Sequence, residues 1–301
     1  MILVFGSINI DLLVPVPHLP TPGETVLGGD YALLPGGKGA NQALAGRRAG
    51  ASVAMVGAVG SDAFAGLALE NLRRDGVDLD LVRRVERPTG CAAIMVGAGD
   101  ENRGEHRGEN LIAVAPGANR EAASALVPDA VLAPEVILVC QMEVPPAENW
   151  ALIRRARAAG ARTILNLAPA APVDPALFAE IDILVANAGE TAPLGADPAA
   201  LARRLRQALV VTRGGDGSTA FLADGSLIAT PALAIVPIDT TGAGDTFVGV
   251  LAAALDRQLA LGAALRFASA AAGLACLARG AQSAIPDGAA IEAAAARLPK
   301  A

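Results

Sequence analysis

Aromatic side chains make up only 3% of this 301-residue chain, lysine and histidine occur twice each, and cysteine occurs three times. Each scarcity removes a class of function. With a net charge of −6 and no cluster of Lys and Arg, the chain offers no basic surface to nucleic acid. Two histidines, His18 and His106, are too few for a histidine zinc site or a Ser-His-Asp triad and read as surface or loop residues. Cys91, Cys140 and Cys276 are far apart, odd in number and without CxxC spacing. Each lies in an apolar run, so all three are expected as buried free thiols. No apolar run has the length of a membrane span. Residues 1–5 run straight into Gly6, Asn9 and Asp11, which reads as a first buried strand and predicts a cytoplasmic protein. What is abundant is apolar. Hydrophobic residues at 53% against 18% charged exclude a disordered chain and suffice for one large α/β core.

From about residue 131 onward, β-branched runs alternate with Ala-rich stretches. Residues 136–140, 163–166, 183–186 and 209–212 read as short buried strands, with helices at 147–159 and 198–207 between them. The N-terminal third repeats the layout, with strands at 2–6 and 52–56 flanking a helix at about 39–49. Strands separated by helices predict right-handed crossovers and a parallel sheet covered on both faces. Residues 11–17 with 26–34, and 91–98 with 110–115, break the alternation and read as a small separate sheet. The polar connection 99–110 reads as a solvated hairpin tip. Two long, small-residue helices are expected at 244–258 and 261–279.

Two segments carry chemistry. The first is Asp239-Thr240-Thr241-Gly242-Ala243-Gly244-Asp245-Thr246-Phe247, entered by a strand-like stretch at 233–238 and left by an apolar helix. Its glycines let the backbone turn several N–H groups onto one spot, where the helix dipole adds positive potential. That makes an anion hole for a phosphoryl group in transit, and an acid beside it, Asp245, makes sense as a base near the attacking hydroxyl. An ordinary helix start, with Asp245 placed for the dipole, is the alternative. The second segment is Pro35-Gly36-Gly37-Lys38-Gly39-Ala40-Asn41-Gln42-Ala43, neither a P-loop nor a GxGxxG fingerprint. It suits close backbone approach to a small polyol, with Asn41 offering a donor and an acceptor, or else a simple Gly-rich turn. Lys38, in so lysine-poor a chain, has a local reason to be there.

Together these segments resemble the ribokinase family of sugar kinases, the phosphofructokinase B group. Gly6-Ser7-Ile8-Asn9-Ile10-Asp11, Gly57-Ala58-Val59-Gly60-Ser61-Asp62 and Pro116-Gly117-Ala118-Asn119 fall in the family's order, so the match spans nearly the whole chain. The resemblance implies a single ribokinase-like α/β domain over 1–301. Its core would be a mostly parallel sheet of eight or nine strands with helices on both faces, plus a small β-sheet lid that often joins two subunits into a homodimer. It implies ATP-dependent phosphorylation of a sugar hydroxyl, with Asp245 as base and the backbone of Gly242, Ala243 and Gly244 as anion hole. Asn9, Asp11, Gly37, Lys38 and Asn41 correspond to the sugar site. Glu143 corresponds to a further sugar contact that favours D-ribose, giving D-ribose 5-phosphate. Asn187, Thr212, Gly214, Gly217 and Gly244 match the ATP site, and Glu190 matches a Mg²⁺ site acting through water.

The chain departs from the family's pattern in the loop Arg279-Gly280-Ala281-Gln282-Ser283-Ala284-Ile285-Pro286. Many relatives hold K⁺ between this loop and the positions of Asp239 and Thr241. Ala284 stands where a small hydroxyl ligand is expected, so K⁺ dependence is left open. The connection 99–110 is also longer than usual for the lid. Another sugar or a nucleoside as acceptor, or a catalytically silent sugar-binding regulator, are the alternative functions. The low aromatic content counts against a slot for a base, and Asp245 counts against a silent regulator.

Overall fold

The computed structural model describes residues 1–98, 109–195 and 197–299. The connection 99–108, His106 and Lys300 therefore lie outside the described residues. The first strands are β1 (Ile2–Phe5), β2 (Asn9–Val16), β3 (Ala32–Gly36), β4 (Val53–Gly60), β5 (Asp78–Val85), β6 (Gly90–Gly97) and β7 (Asn110–Ala115). They are followed by β8 (Ile137–Gln141), β9 (Arg162–Asn166), β10 (Ile183–Asn187), β11 (Ala208–Thr212), β12 (Ser218–Leu222) and β13 (Leu227–Thr230). The helices are α1 (Lys38–Arg48), α2 (Ala63–Ala68), α3 (Glu70–Arg74), α4 (Pro146–Ala158) and α5 (Ala188–Thr191). Beyond these come α6 (Pro198–Ala202), α7 (Ala243–Asp256), α8 (Leu261–Ala275) and α9 (Gly288–Ala295).

Among the described residues, nine strands form one sheet in the order β13-β12-β11-β10-β9-β8-β1-β4-β5. It is parallel from β11 to β5, with β12 and β13 antiparallel at one edge. The central strands are unbroken apolar runs because both of their faces are covered. Side chains alternate across the sheet. Ile2 and Val4 of β1 join Val139, Ile164, Val185 and helices α1, α7 and α8 on one face. Leu3 and Phe5 join Leu138, Leu165, Leu184 and helices α4 and α6 on the other. Helices α1 and α7 meet backbone to backbone: a Cβ on Gly249 would lie 2.3 Å from the carbonyl oxygen of Gln42. Any side chain there would push the two helices apart.

A second sheet, in the order β3-β2-β6-β7, stands off the first. β2 pairs antiparallel with β3 and parallel with β6, and β7 is an edge strand exposed along its length. The chain enters this sheet from the end of β1 through Gly6, Ser7 and Ile8, and leaves it through Gly37 into α1. Gly37 has φ 91°, and a Cβ on it would lie 2.7 Å from the Asn9 amide nitrogen. Among the described residues, no helix is long and apolar enough to cross a membrane.

Several expectations are corrected. The stretch 233–238 is not a strand: it has no pairing partner and leaves Val236 86% and Ile238 62% exposed. Residues 26–31 are likewise outside any strand, β3 beginning only at Ala32. The helix expected over 198–207 stops after Ala202, because the amides of Arg206 and Gln207 turn to the carbonyls of Ile181 and Asp182. The helix expected to reach residue 279 stops at Ala275. Of the thiols, Cys140 alone is fully buried; Cys91 and Cys276 are half-buried, and all three are free.

Candidate active site

The first turn of α7 carries Asp245, buried to 7% exposure. Gly242 precedes it in the left-handed region, φ 74°, packed so closely on Ala281 that a Cβ would lie 2.9 Å from the Ala281 Cα. No side chain caps this helix, so its first-turn amides face outward, although the Ala243 amide turns back to the Thr240 carbonyl at 3.2 Å. A 14-residue helix left uncapped presents partial positive charge to whatever lies in front of it. In front of it is an open cleft bordered by Lys38, Asn187, Glu190, Thr212, Gly244 and Asp245.

Asp245 is held from α1. Asn41 Nδ2 donates to its Oδ2 and Gln42 Nε2 to its Oδ1, both at 2.9 Å. Asn41 Oδ1 is buried with no partner among the described residues, so Asn41 keeps an acceptor to offer. The start of α1 is fastened by Glu143, whose Oε2 accepts the Ser7 hydroxyl at 2.5 Å and the Lys38 amide at 3.2 Å. A carboxylate suits a helix N-terminus, so this part of Glu143 serves α1 itself.

Asp11, on β2, lies over Gly36, where a Cβ would come within 2.3 Å of its carboxylate. Burial, and then the Glu143 and Asp245 carboxylates, push its pKa up to about 6, with Lys38 partly opposing them. Lys38 is shifted up in turn. Asp245 is the largest cause, burial opposes it, and Glu143, Glu190 and Asp11 add to it. The Lys38 ammonium thus lies in the electrostatic field of four carboxylates, Asp245, Glu143, Glu190 and Asp11. Asn9 closes the far side, its Oδ1 accepting from Asn119 Nδ2 at 2.6 Å, while Asn119 Oδ1 accepts the Ile8 amide.

On the other side of Asp245, Asn187 and Glu190 form a reciprocal cap on α5: each side chain accepts the other's amide at 2.8 Å. Thr212 ends β11. Gly214 and Gly217 lie in the tight turn that follows and do not border the cleft. Gly217 is required by packing, since a Cβ would meet the Thr230 carbonyl at 2.1 Å. Asp239 Oδ1 accepts both the amide and the hydroxyl of Thr241, and its Oδ2 accepts the Gly280 amide. Burial, the largest influence on Asp239, pushes its pKa up, but the hydrogen bonds together outweigh it and hold the group below the ordinary range.

Of the residues named from sequence, Lys38, Asn187, Glu190, Thr212, Gly242 and Gly244 border the cleft with Asp245, and Asn41 bonds to it; Gly214, Gly217, Asp239 and Thr241 do not border it. Sequence reasoning missed Ser7, Gln42, Gln141 and Asn166. Gln42 sat inside a quoted motif, and Asn166 and Gln141 end strands at the edge where parallel sheets bind ligands.

The profile of the pfkB family carbohydrate kinases matches residues 1–288. The chain belongs to this family. It is accordingly an ATP-dependent carbohydrate kinase. Among relatives of this pfkB member, the ribokinase of Bacillus subtilis is 36% identical over 291 residues, covering 95% of this chain and 96% of that one. The ribokinase of Lactococcus lactis is 34% identical over 289 residues, covering 94% and 93%. The solved structure of Arabidopsis thaliana ribokinase complexed with ribose and ATP superposes with a TM-score of 0.87 at 32% identity, over 98% of both chains.

Proposed function

We propose that this pfkB kinase transfers the γ-phosphoryl group of ATP to the 5-hydroxyl of D-ribose, with Asp245 as general base. The observation that carries this is the setting of Asp245. It is a buried carboxylate on the first turn of an uncapped helix, hydrogen-bonded by Asn41 and bordering the cleft with Lys38, Asn187 and Thr212. Likeness to ribokinases at 34–36% identity supports ribose as the sugar.

In this reading Asn9, Asp11, Gly37, Asn41 and Glu143 hold the sugar hydroxyls, and Lys38 neutralises charge between sugar and phosphate. ATP lies along Asn187, Thr212 and Gly244, with the turn holding Gly214 and Gly217 behind it. Asp245 takes the proton of the attacking hydroxyl, the hydroxyl oxygen bonds to the γ-phosphorus, and the bond to the bridging oxygen of ADP breaks. The α7 amides face the charge that spreads over the transferring group.

Glu190 and Asn187 fit a sparse Mg²⁺ site that works through water and phosphate, for they are one carboxylate and one amide at the cleft rather than a cage of acids. When bound, Mg²⁺ supplies charge neutralisation on the phosphates. For K⁺, both oxygens of Asp239 already accept hydrogen bonds from the chain and Ala284 has no hydroxyl, so the cation is read as a modulator. The exposed edge strand β7, with Leu111, Ile112 and Val114 outward, suits pairing with a second copy as a homodimer. A cytoplasmic location goes with ATP as co-substrate.

The test is ADP release across a panel of pentoses, hexoses and nucleosides. D-ribose is expected to give the highest kcat/KM, with product phosphorylated at the 5-position. A higher kcat/KM for another acceptor would replace ribose, and no ADP release with any acceptor would point to the silent regulator.

A further inference from the structure

The base has a neighbour that sugar and nucleotide binding leave unused. Gln42, only 1% exposed, sets its Nε2 2.9 Å from Asp245 Oδ1 and 3.1 Å from Asn166 Oδ1. Its Oε1 accepts from Gln141 Nε2 at 2.8 Å. The sense of these amides is dictated by one group that can only accept. The Val185 carbonyl lies 3.2 Å from the Asn166 amide nitrogen, so Asn166 must turn its Nδ2 to it and its Oδ1 to Gln42. An oxygen there demands a donor, so Gln42 presents its NH₂ group and leaves its oxygen to Gln141. Reversing Gln42 would set its oxygen against Asn166 Oδ1 and Asp245 Oδ1, two oxygens that cannot donate to it. Gln42 is thus satisfied in one sense only, although Gln141 Oε1 is left buried without a partner among the described residues, and in that sense an N–H is aimed at Asp245.

We propose that Gln42 is a positioning residue for the reaction: locked by Gln141 and Asn166, it fixes the plane of the Asp245 carboxylate and its aim at the acceptor hydroxyl. The inference rests on Asp245 being the base. Asn41 supplies a second N–H, but it also has a buried oxygen without a partner and stands on the sugar side, so its bond to Asp245 is open to exchange when sugar arrives. Gln42 has no such alternative, because both of its polar atoms are committed inside the protein. Its partners come from the adjacent ends of β8 and β9, where Gln141 and Asn166 stand side by side in register. The constraint thus originates in the sheet and is passed to the base through one side chain. Without it the carboxylate can swing about its own Cβ–Cγ bond, and a misplacement of about 1 Å costs on the order of 10²-fold in rate. Sugar and ATP contacts do not pass through Gln42, so ground-state binding is left alone.

Gln42→Leu and Gln141→Met, singly and combined, are compared with Asp245→Asn by kcat, by KM for D-ribose and ATP, and by the melting temperature. Gln42→Leu is expected to lower kcat roughly 10–100-fold while both KM values stay within about threefold. Gln141→Met, which touches neither base nor substrate, is expected to lower kcat about 3–10-fold, and to add nothing in the Gln42→Leu background. A folded Gln42→Leu variant whose kcat stays within about twofold of the parent overturns the proposal. So does a loss shared equally by kcat and both affinities, or a Gln141→Met effect of the same size in both backgrounds. Should Gln42→Leu not fold, Gln141→Met decides alone, and an unchanged kcat there counts against the proposal. If Asp245→Asn loses turnover while Gln42→Leu keeps it, only this inference fails. If both keep it, the base reading fails as well.

Discussion

The Asp239 carboxylate accepts the amide of Gly280 at 2.8 Å across 41 residues of chain, binding the loop before α7 to the segment after α8. That segment is anchored again from α1, where Arg48 Nη1 donates to the carbonyls of Gln282 and Ile285 at 2.8 and 2.9 Å. The loop that precedes Asp245 therefore has protein-made ties on its own account. We expect initial rates in sodium buffer, at saturating sugar and MgATP and matched ionic strength, to be a substantial fraction of those in potassium. Ala284→Ser should enlarge the potassium response by adding a hydroxyl. An absolute K⁺ requirement in the unmodified protein would show that these ties are insufficient.

Asp245→Asn should lower kcat by roughly 10²–10⁴-fold, because an amide cannot take the hydroxyl proton. The surrounding donors add a second consequence. Asn41 and Gln42 both present N–H groups to this carboxylate, so the new amide nitrogen must face one of them. Gln42 cannot turn, so Asn41 must, and its oxygen is then withdrawn from the sugar side. A rise of a few-fold in sugar KM with unchanged ATP KM is the expected signature. A normal kcat would remove Asp245 from the mechanism.

With Asp11 as a sugar ligand, as proposed, sugar capture should depend on pH. Burial and neighbouring carboxylates push its pKa up to about 6, so as pH falls below that value the group is neutralised and would lose its charge-assisted bonds to sugar hydroxyls. kcat/KM for the sugar should therefore fall as pH drops from 7 to 5, and this limb should be missing in Asp11→Asn. Linkage gives the opposite sign for stability. Between the ordinary 3.8 and about 6 the folded state binds more protons than the unfolded one, so the sugar-free fold loses stability as pH rises through that window. Asp11→Asn should accordingly melt higher than the parent at pH 7, and an equal or lower melting temperature would contradict the assigned burial cost.

Much of the central sheet was legible because strands buried on both faces are plain apolar runs, as with residues 136–140 and 183–186. The edge strand β5, which reads Asp-Leu-Asp-Leu-Val-Arg-Arg-Val, gave no such signal, for one face meets solvent. Conversely, 233–238 has strand composition without a strand, since no neighbour is left to pair with it. At the site, Asp245 and Asn41 stood out by type and motif. Gln42 did not: glutamine in an Ala-rich helix is an ordinary helix former, and only the packing of α7 against α1 shows that its amide meets a carboxylate 203 residues away.

That packing has a consequence for how such an enzyme can diversify. The distance from Asp245 to its amide partners is set where Gly249 touches the main chain of Gln42, not by interchangeable side chains that drift over generations. Asn9 and Asp11 belong instead to the small sheet, whose strands answer to a different set of neighbours. In the proposed reading, substitutions on these strands can alter contacts to the acceptor while the seam of α1 and α7, which sets Asn41 and Gln42 against Asp245, stays as it is.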